Sequence, residues 1–158
     1  MLVISNTTPI MSLSSIGKVD LLEKLFNKVF ITQAVYNEIK TIKKHGYTEI
    51  DSDFFQIKSI KGNTYLGFLL NDLDQGEAET IILAHELNAD IVIMDERLGS
   101  KIARSQNLFV IGTLSVLVMA KEKGLIQTIR PLLDEMIKKG RWYSKQVYSD
   151  FLKAIGEL

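Results

Sequence analysis

Asn6, Glu38, Glu77 and Asp95 are the residues of this chain whose types and placement could do chemistry. Asn6 follows the apolar run Val3-Ile4-Ser5, and Asp95 follows Ile91-Val92-Ile93-Met94, so each stands where a buried strand would end. In open parallel sheets, the loops at the carboxyl ends of strands converge on ligands. An ionised carboxylate directly after four apolar residues needs a partner or water. Asp95 has an alternative role as N-cap of a helix starting at Glu96. At 100° per residue, Glu77 lies within about 40° of Ile81, Ala84 and Asn88, on a partly apolar, inward-leaning face, while Glu79 sits beside Glu86 toward water. Asp74-x-x-Glu77 also has capping-box spacing, a purely structural role for the same glutamate. Glu38 stands about 60° from Val35, at the border of an apolar stripe where a half-solvated glutamate is ordinary.

The conjunction of these residues is what points to chemistry. The 158 residues include no cysteine and only two histidines, His45 and His85, so thiolate nucleophiles, Cys-ligated zinc and His-rich metal sites are excluded. Any metal would sit on oxygen. Mg²⁺ accepts such a site, because it prefers octahedral oxygen coordination, keeps several waters and often takes only one or two carboxylates. Three carboxylates within a few ångströms repel one another and need a cation or shifted pKa values. Neither a P-loop nor a GxGxxG is present, and no nucleophile motif adjoins either histidine.

The elements that must position these groups follow from composition and periodicity. With 46% hydrophobic residues and 19 Lys+Arg balancing 19 Asp+Glu, the chain reads as one folded domain, residues 1–158, of zero formal charge. That neutrality excludes broad coating of duplex DNA and leaves nucleic acid to a local patch or a metal ion. The chain enters Met1-Leu2-Val3-Ile4 without a basic leader, and no apolar run approaches the ~20 residues of a membrane span, so the expectation is a soluble cytoplasmic protein with no membrane partner. Strands are expected at Leu2–Ser5, Val29–Ile31, Asp90–Met94 and Leu108–Ile111, with a further one around Phe55–Ile60. Helices are expected at Val19–Phe26, Gln33–Lys44 (stopped by Gly46), Tyr65–Leu70, Asp74–Asn88, Glu96–Gln106 and Gly112–Lys123, the last closed by Gly124-Leu125. Thr8-Pro9 has the form of an N-cap followed by a first helical residue. Alternation of strands and helices predicts βαβ units and a parallel sheet. Two further helices, Gln127–Lys139 and Ser144–Glu157, form a C-terminal extension over 127–158.

Four blocks in this order resemble the PIN domain, the nuclease fold of VapC-type toxins, and most resemble a PIN-like branch of bacterial and archaeal proteins. They are Val3-Ile4-Ser5-Asn6-Thr7-Thr8-Pro9; Ile31 to Ile39; Leu73 to Ile81 running on through Ile93-Met94-Asp95-Glu96-Arg97; and Val110 to Leu114 with Ala120 to Ile126. The resemblance implies an α/β three-layer sandwich with a central parallel sheet, in which acids hold Mg²⁺ or Mn²⁺ for hydrolysis of RNA phosphodiester bonds. Carried over by position, the catalytic and metal-binding residues are Asn6, Glu38, Glu77 and Asp95. Asn6 stands where the family has a first-strand aspartate, and its neutral amide oxygen is a weaker ligand that supplies no charge. A fourth family acid falls at Arg97 and is absent. The implied function is a metal-dependent ribonuclease, the toxin of a toxin–antitoxin pair with an antitoxin-like protein as partner. The alternative is a degenerate module that binds RNA or a protein without cutting.

Thr7, Arg97 and Lys101 are assigned to the substrate, the last two with Arg104 forming one basic stripe on a helix, a pattern a solvated face also explains. Lys138, Lys139, Arg141, Trp142, Tyr143 and Lys145 mix cations with rings that could stack bases, although cations at a helix C-terminus account for the first half equally well. Val147, Phe151, Ile155 and Leu158 make the last helix amphipathic, leaving open packing on its own domain, a homodimer or a partner surface.

Overall fold

The computed structural model describes residues 1–62 and 64–158. Five strands, β1 (Val3–Ser5), β2 (Val29–Thr32), β3 (Phe55–Lys58), β4 (Ile91–Ile93) and β5 (Val110–Ile111), form one parallel sheet of order β3-β2-β1-β4-β5. The short strands are apolar at successive positions because both faces of the sheet are covered. The period of two then sorts them. Val3, Ile91, Ile93 and Ile111 enter one core, and Ile4, Val92, Met94 and Val110 the other.

The first core is closed by α1 (Thr7–Ser15), α2 (Asp20–Phe26) and α3 (Gln33–Ile42), then by α7 (Thr113–Glu122), α8 (Arg130–Lys138) and α9 (Lys145–Ala154). The second is closed by α4 (Leu66–Leu69), α5 (Gln75–Leu87) and α6 (Arg97–Ser105). A 3₁₀ turn, Glu49–Asp51, precedes β3. The result is the expected α/β sandwich of three layers. Among the described residues, no helix is long and apolar enough to cross a membrane.

Several boundaries differ from expectation for local reasons. The first helix starts at Thr7 with Asn6 as N-cap, so Thr8 and Pro9 lie inside its first turn. Helix α3 ends at Ile42, before the chain reaches Gly46, because Lys43 itself adopts the left-handed conformation at φ 56°. At the end of α7 the expected closure forms, with Leu125 N–H donating to Ala120 O at 2.9 Å and Gly124 N–H to Lys121 O at 3.0 Å. Leu152 of α9 is fully buried and Phe151 and Ile155 pack on the first core, while Val147 and Leu158 of the expected apolar face stay exposed. The end of the chain returns as a clamp. Glu157 accepts from Ile129 and Arg130 N–H, at 2.9 and 2.8 Å, and from Lys121 Nζ at 2.8 Å.

Candidate active site

Strand order reverses direction between β1 and β4, and the residues following these two strands meet there. Asn6 N–H donates to Ile93 O at 2.9 Å, extending the ladder one step past Ser5 and bringing the Asn6 side chain beside the chain leaving β4. Its Nδ2 donates to Glu96 Oε2 at 2.9 Å, and Thr8 Oγ1 donates to the other oxygen, Glu96 Oε1. On the far side, Thr7 Oγ1 donates to Glu38 Oε2 at 3.1 Å. The first turn of α1 therefore orients two acids from separate helices. Thr7 is buried and its hydroxyl is held on Glu38.

Glu77 enters from α5 by way of the capping box. Its N–H donates to Asp74 Oδ1 at 2.8 Å, while Asp74 N–H donates to Glu77 Oε1 at 3.0 Å. One carboxylate oxygen is thus engaged in the cap. The other, Oε2, faces Gly99 of α6, where an added Cβ would lie 3.3 Å away. Gly76, one residue earlier, opens a notch in which a Cβ would stand 2.9 Å from Glu38 Oε2 and 3.5 Å from Asn6 Oδ1. A side chain at position 76 would displace Glu38 Oε2 from this close approach of α3, α5 and the end of β1.

The electrostatics record the crowding. Burial raises the Glu38 carboxyl above its ordinary pKa, and Asp74 and Glu96 raise it further against the Thr7 hydroxyl, which lowers it. Burial raises Glu77 as well, with the Asp74 backbone bond opposing and the charges of Asp74 and Glu96 adding. Asn6 Oδ1 is buried and has no hydrogen-bond partner. Because Nδ2 is fixed by its bond to a carboxylate, the oxygen cannot exchange places with it without losing that bond.

Asp95 is placed elsewhere. Its Oδ1 accepts from Thr113 N–H at 2.7 Å, and its Oδ2 from Thr113 Oγ1 at 2.5 Å and Arg141 Nη1 at 2.8 Å. It caps α7, whose N-cap Gly112 has no side chain to do so and could not carry one, since a Cβ there would meet Asp95 Oδ1 at 2.7 Å. The expectation that Asp95 caps the helix of β4's own loop is corrected too, for the N-cap of α6 is Glu96. Of the four expected site residues, Asn6 and Glu38 meet at the Gly76 notch, and Glu77 feels the charges of Asp74 and Glu96 from α5. The acid that Asn6 holds is Glu96 and not Asp95, and Asp74 Oδ1 lies on the same notch, 3.6 Å from where a Cβ at Gly76 would stand. Arg97 and Lys101 are exposed on α6, with no ion pair among the described residues.

Among the described residues, no three His, Cys, Asp or Glu side chains are gathered closely enough to enclose a metal ion by themselves. The donor set is one amide oxygen with carboxylates on three elements, all hard oxygen ligands. Such a set, with the orphaned buried Asn6 oxygen beside Glu38, fits a hydrated divalent cation better than a fully protein-ligated one. No curated protein and no solved structure matches the chain. A protein-family model described as a PIN domain matches residues 2–157. With that match running from β1 to the Glu157 clamp, the chain belongs to the PIN domain family.

Proposed function

We propose that this protein is a metal-dependent endoribonuclease that hydrolyses RNA phosphodiester bonds. One observation carries the proposal: Asn6 Oδ1, buried and without a partner, faces the Gly76 notch together with Glu38 Oε2. A buried acceptor oxygen without a partner, such as Asn6 Oδ1, is costly unless a cation or a donor joins it. Asn6, Glu38, Glu77 and Glu96 would hold Mg²⁺ or Mn²⁺, which when bound activates water and stabilises a developing oxyanion. Thr7 aims Glu38, while Asn6 and Thr8 aim Glu96. Glu38 and Glu77 hold protons more tightly than ordinary glutamates, which suits either to accept one from attacking water. Arg97 and Lys101, on the helix that Glu96 caps, are available to RNA phosphates. Asp95 anchors the turn that presents Glu96.

Incubation with labelled RNA and Mn²⁺ tests this. Cleavage is expected to stop in EDTA and to fall at least tenfold in Glu38→Gln and Glu96→Gln, the value of one charge-assisted contact. Cleavage that persists in EDTA, or that ignores both substitutions, overturns it. In the same reading the chain is the toxin of a toxin–antitoxin pair, supported by its family and tested by growth arrest on expression.

The amide at position 6 favours a second reading, a module that binds RNA without cutting it. A neutral ligand in the innermost position weakens the hold on a cation. RNA binding by a wild type that cleaves nothing, with cleavage appearing in Asn6→Asp, would select it.

A further inference from the structure

Arg141-Trp142-Tyr143 lie in the turn joining α8 to α9, and Trp142, the chain's one tryptophan, is 77% exposed. Tryptophan is highly buried on average, so a ring left this open asks for an explanation. Its neighbours are held firmly. Arg141 pairs with Asp95 at 2.8 Å, donates to Ser12 Oγ at 3.3 Å, and sets its guanidinium 4.7 Å from the centre of the Tyr143 ring. The turn is therefore tethered, and Trp142 is displayed from a fixed base.

That base is joined to the acidic group through the chain. Arg141's partner Asp95 is bonded in sequence to Glu96, which Asn6 and Thr8 hold. The turn's own segment is also locally basic in a chain of zero formal charge, although Asp134 lines the same hollow as Lys145. Lys138 and Lys139 precede it and Lys145 follows. All three are exposed, and among the described residues none is in an ion pair. Residues 138–149 contain no acid.

We propose that Trp142 is a stacking platform for an unpaired base of an RNA strand, at the rim of the acidic site, with Lys138, Lys139 and Lys145 supplying the charge that holds the strand's phosphates. The inference rests on RNA being the ligand of the proposed nuclease, and adds where the strand runs. A ring of this kind accepts any base, because every base has a π-face, and lysines along the backbone read charge without reading sequence. Duplex RNA keeps its base faces stacked inside and cannot use the platform, so single strands are preferred.

The lone tryptophan reports on its own occupancy. The full chain in EDTA, which silences cleavage, is titrated with short oligouridylate, oligoadenylate and a duplex of the same length. Trp142 emission and the anisotropy of labelled RNA are followed together. Both single strands are expected to quench the emission along the curve that anisotropy gives, and the duplex to quench it far less. Trp142→Ala is expected to weaken single-strand binding about tenfold or more, with Trp142→Phe restoring most of it. The triple change Lys138→Ala, Lys139→Ala, Lys145→Ala should weaken binding and flatten its salt dependence. An unchanged melting temperature in each variant shows that the fold is intact.

Binding of RNA with silent emission and an unaffected Trp142→Ala overturns the inference, as does no RNA binding at all or a response confined to a protein partner. Quenching without cleavage in Mn²⁺ overturns the nuclease reading and supports the platform. Cleavage with silent emission does the reverse.

Discussion

Asn6 Nδ2 donates to Glu96 Oε2 at 2.9 Å, tying residues 90 positions apart across the junction of β1 and β4. The bond fixes the amide so that its oxygen faces Glu38 and the Gly76 notch without a partner. An aspartate at position 6 would reverse both relations, losing the donor to Glu96 and placing a charge where the oxygen stands.

Asn6→Asp is therefore expected to lower the melting temperature of the metal-free protein, by the equivalent of about 1–3 kcal/mol for a buried acceptor pair left without its donor. Mn²⁺ should raise the melting temperature of this variant more than that of the wild type. Thermal unfolding with and without the ion checks it, and a smaller shift in the variant refutes the assignment of Asn6 as a ligand.

Glu77 has two duties that two substitutions separate. Glu77→Gln keeps an oxygen for Asp74 N–H and a residue type that capping boxes accept, so stability should change little. Glu77→Ala should cost about 1 kcal/mol of stability through the lost cap. Both should abolish most of the Mn²⁺ response. Equal metal responses in wild type and Glu77→Gln would leave Glu77 a cap alone.

Gly76→Ala is expected to hurt the site and spare the fold. Alanine is favoured over glycine in a helix by up to about 1 kcal/mol, but the new Cβ would stand 2.9 Å from Glu38 Oε2. Cleavage should fall while the melting temperature holds or rises. Full activity in this variant would show that Glu38 can move aside without consequence.

The raised pKa values of Glu38 and Glu77 set a pH dependence. A carboxyl raised in the folded state binds its proton more tightly there than in the unfolded chain. Acidification from neutral pH through the folded values therefore favours the metal-free fold as far as these two groups are concerned. The same protons compete with a cation, so the Mn²⁺-induced rise in melting temperature should shrink as pH falls toward the ordinary glutamate value. A metal response of constant size from neutral pH to about 4.5 contradicts this.

Glu157 behaves oppositely. Burial alone would raise its carboxyl, but hydrogen bonds from Arg130, Lys121 and Ile129 outweigh burial and leave it lowered. Its contribution is present above the unfolded value and is lost as pH falls through the folded one. Glu157→Ala should destabilise the protein by about 1–3 kcal/mol at neutral pH, and by less in acid. Denaturant unfolding at two pH values measures the difference.

Much of the scaffold was legible because apolar runs and capping signals are local. Val3-Ile4-Ser5 and Ile91-Val92-Ile93 became the paired strands expected of them, and Asp74-x-x-Glu77 formed its box. The exchange of Asp95 for Glu96 was not legible, because adjacent residues in a turn diverge in direction. Which one faces Asn6 depends on Thr113 and Arg141 claiming the other. Those partners lie 18 and 46 residues downstream, beyond any local pattern. The one local hint was that Gly112, which cannot cap α7 with its own side chain, leaves that helix in need of an acid from elsewhere.

The parallel sheet also governs when the site can exist. Strand β1 leaves the ribosome first, yet its partner β4 follows 88 residues later, and Arg141, which steadies the turn after β4, later still. A nascent chain holding Asn6, Glu38 and Glu77 thus has no Glu96 to bring to them until most of the polypeptide has emerged. Assembly of the pocket is a late event of synthesis, and a chain cut short before β4 lacks both Glu96 and the strand that carries it.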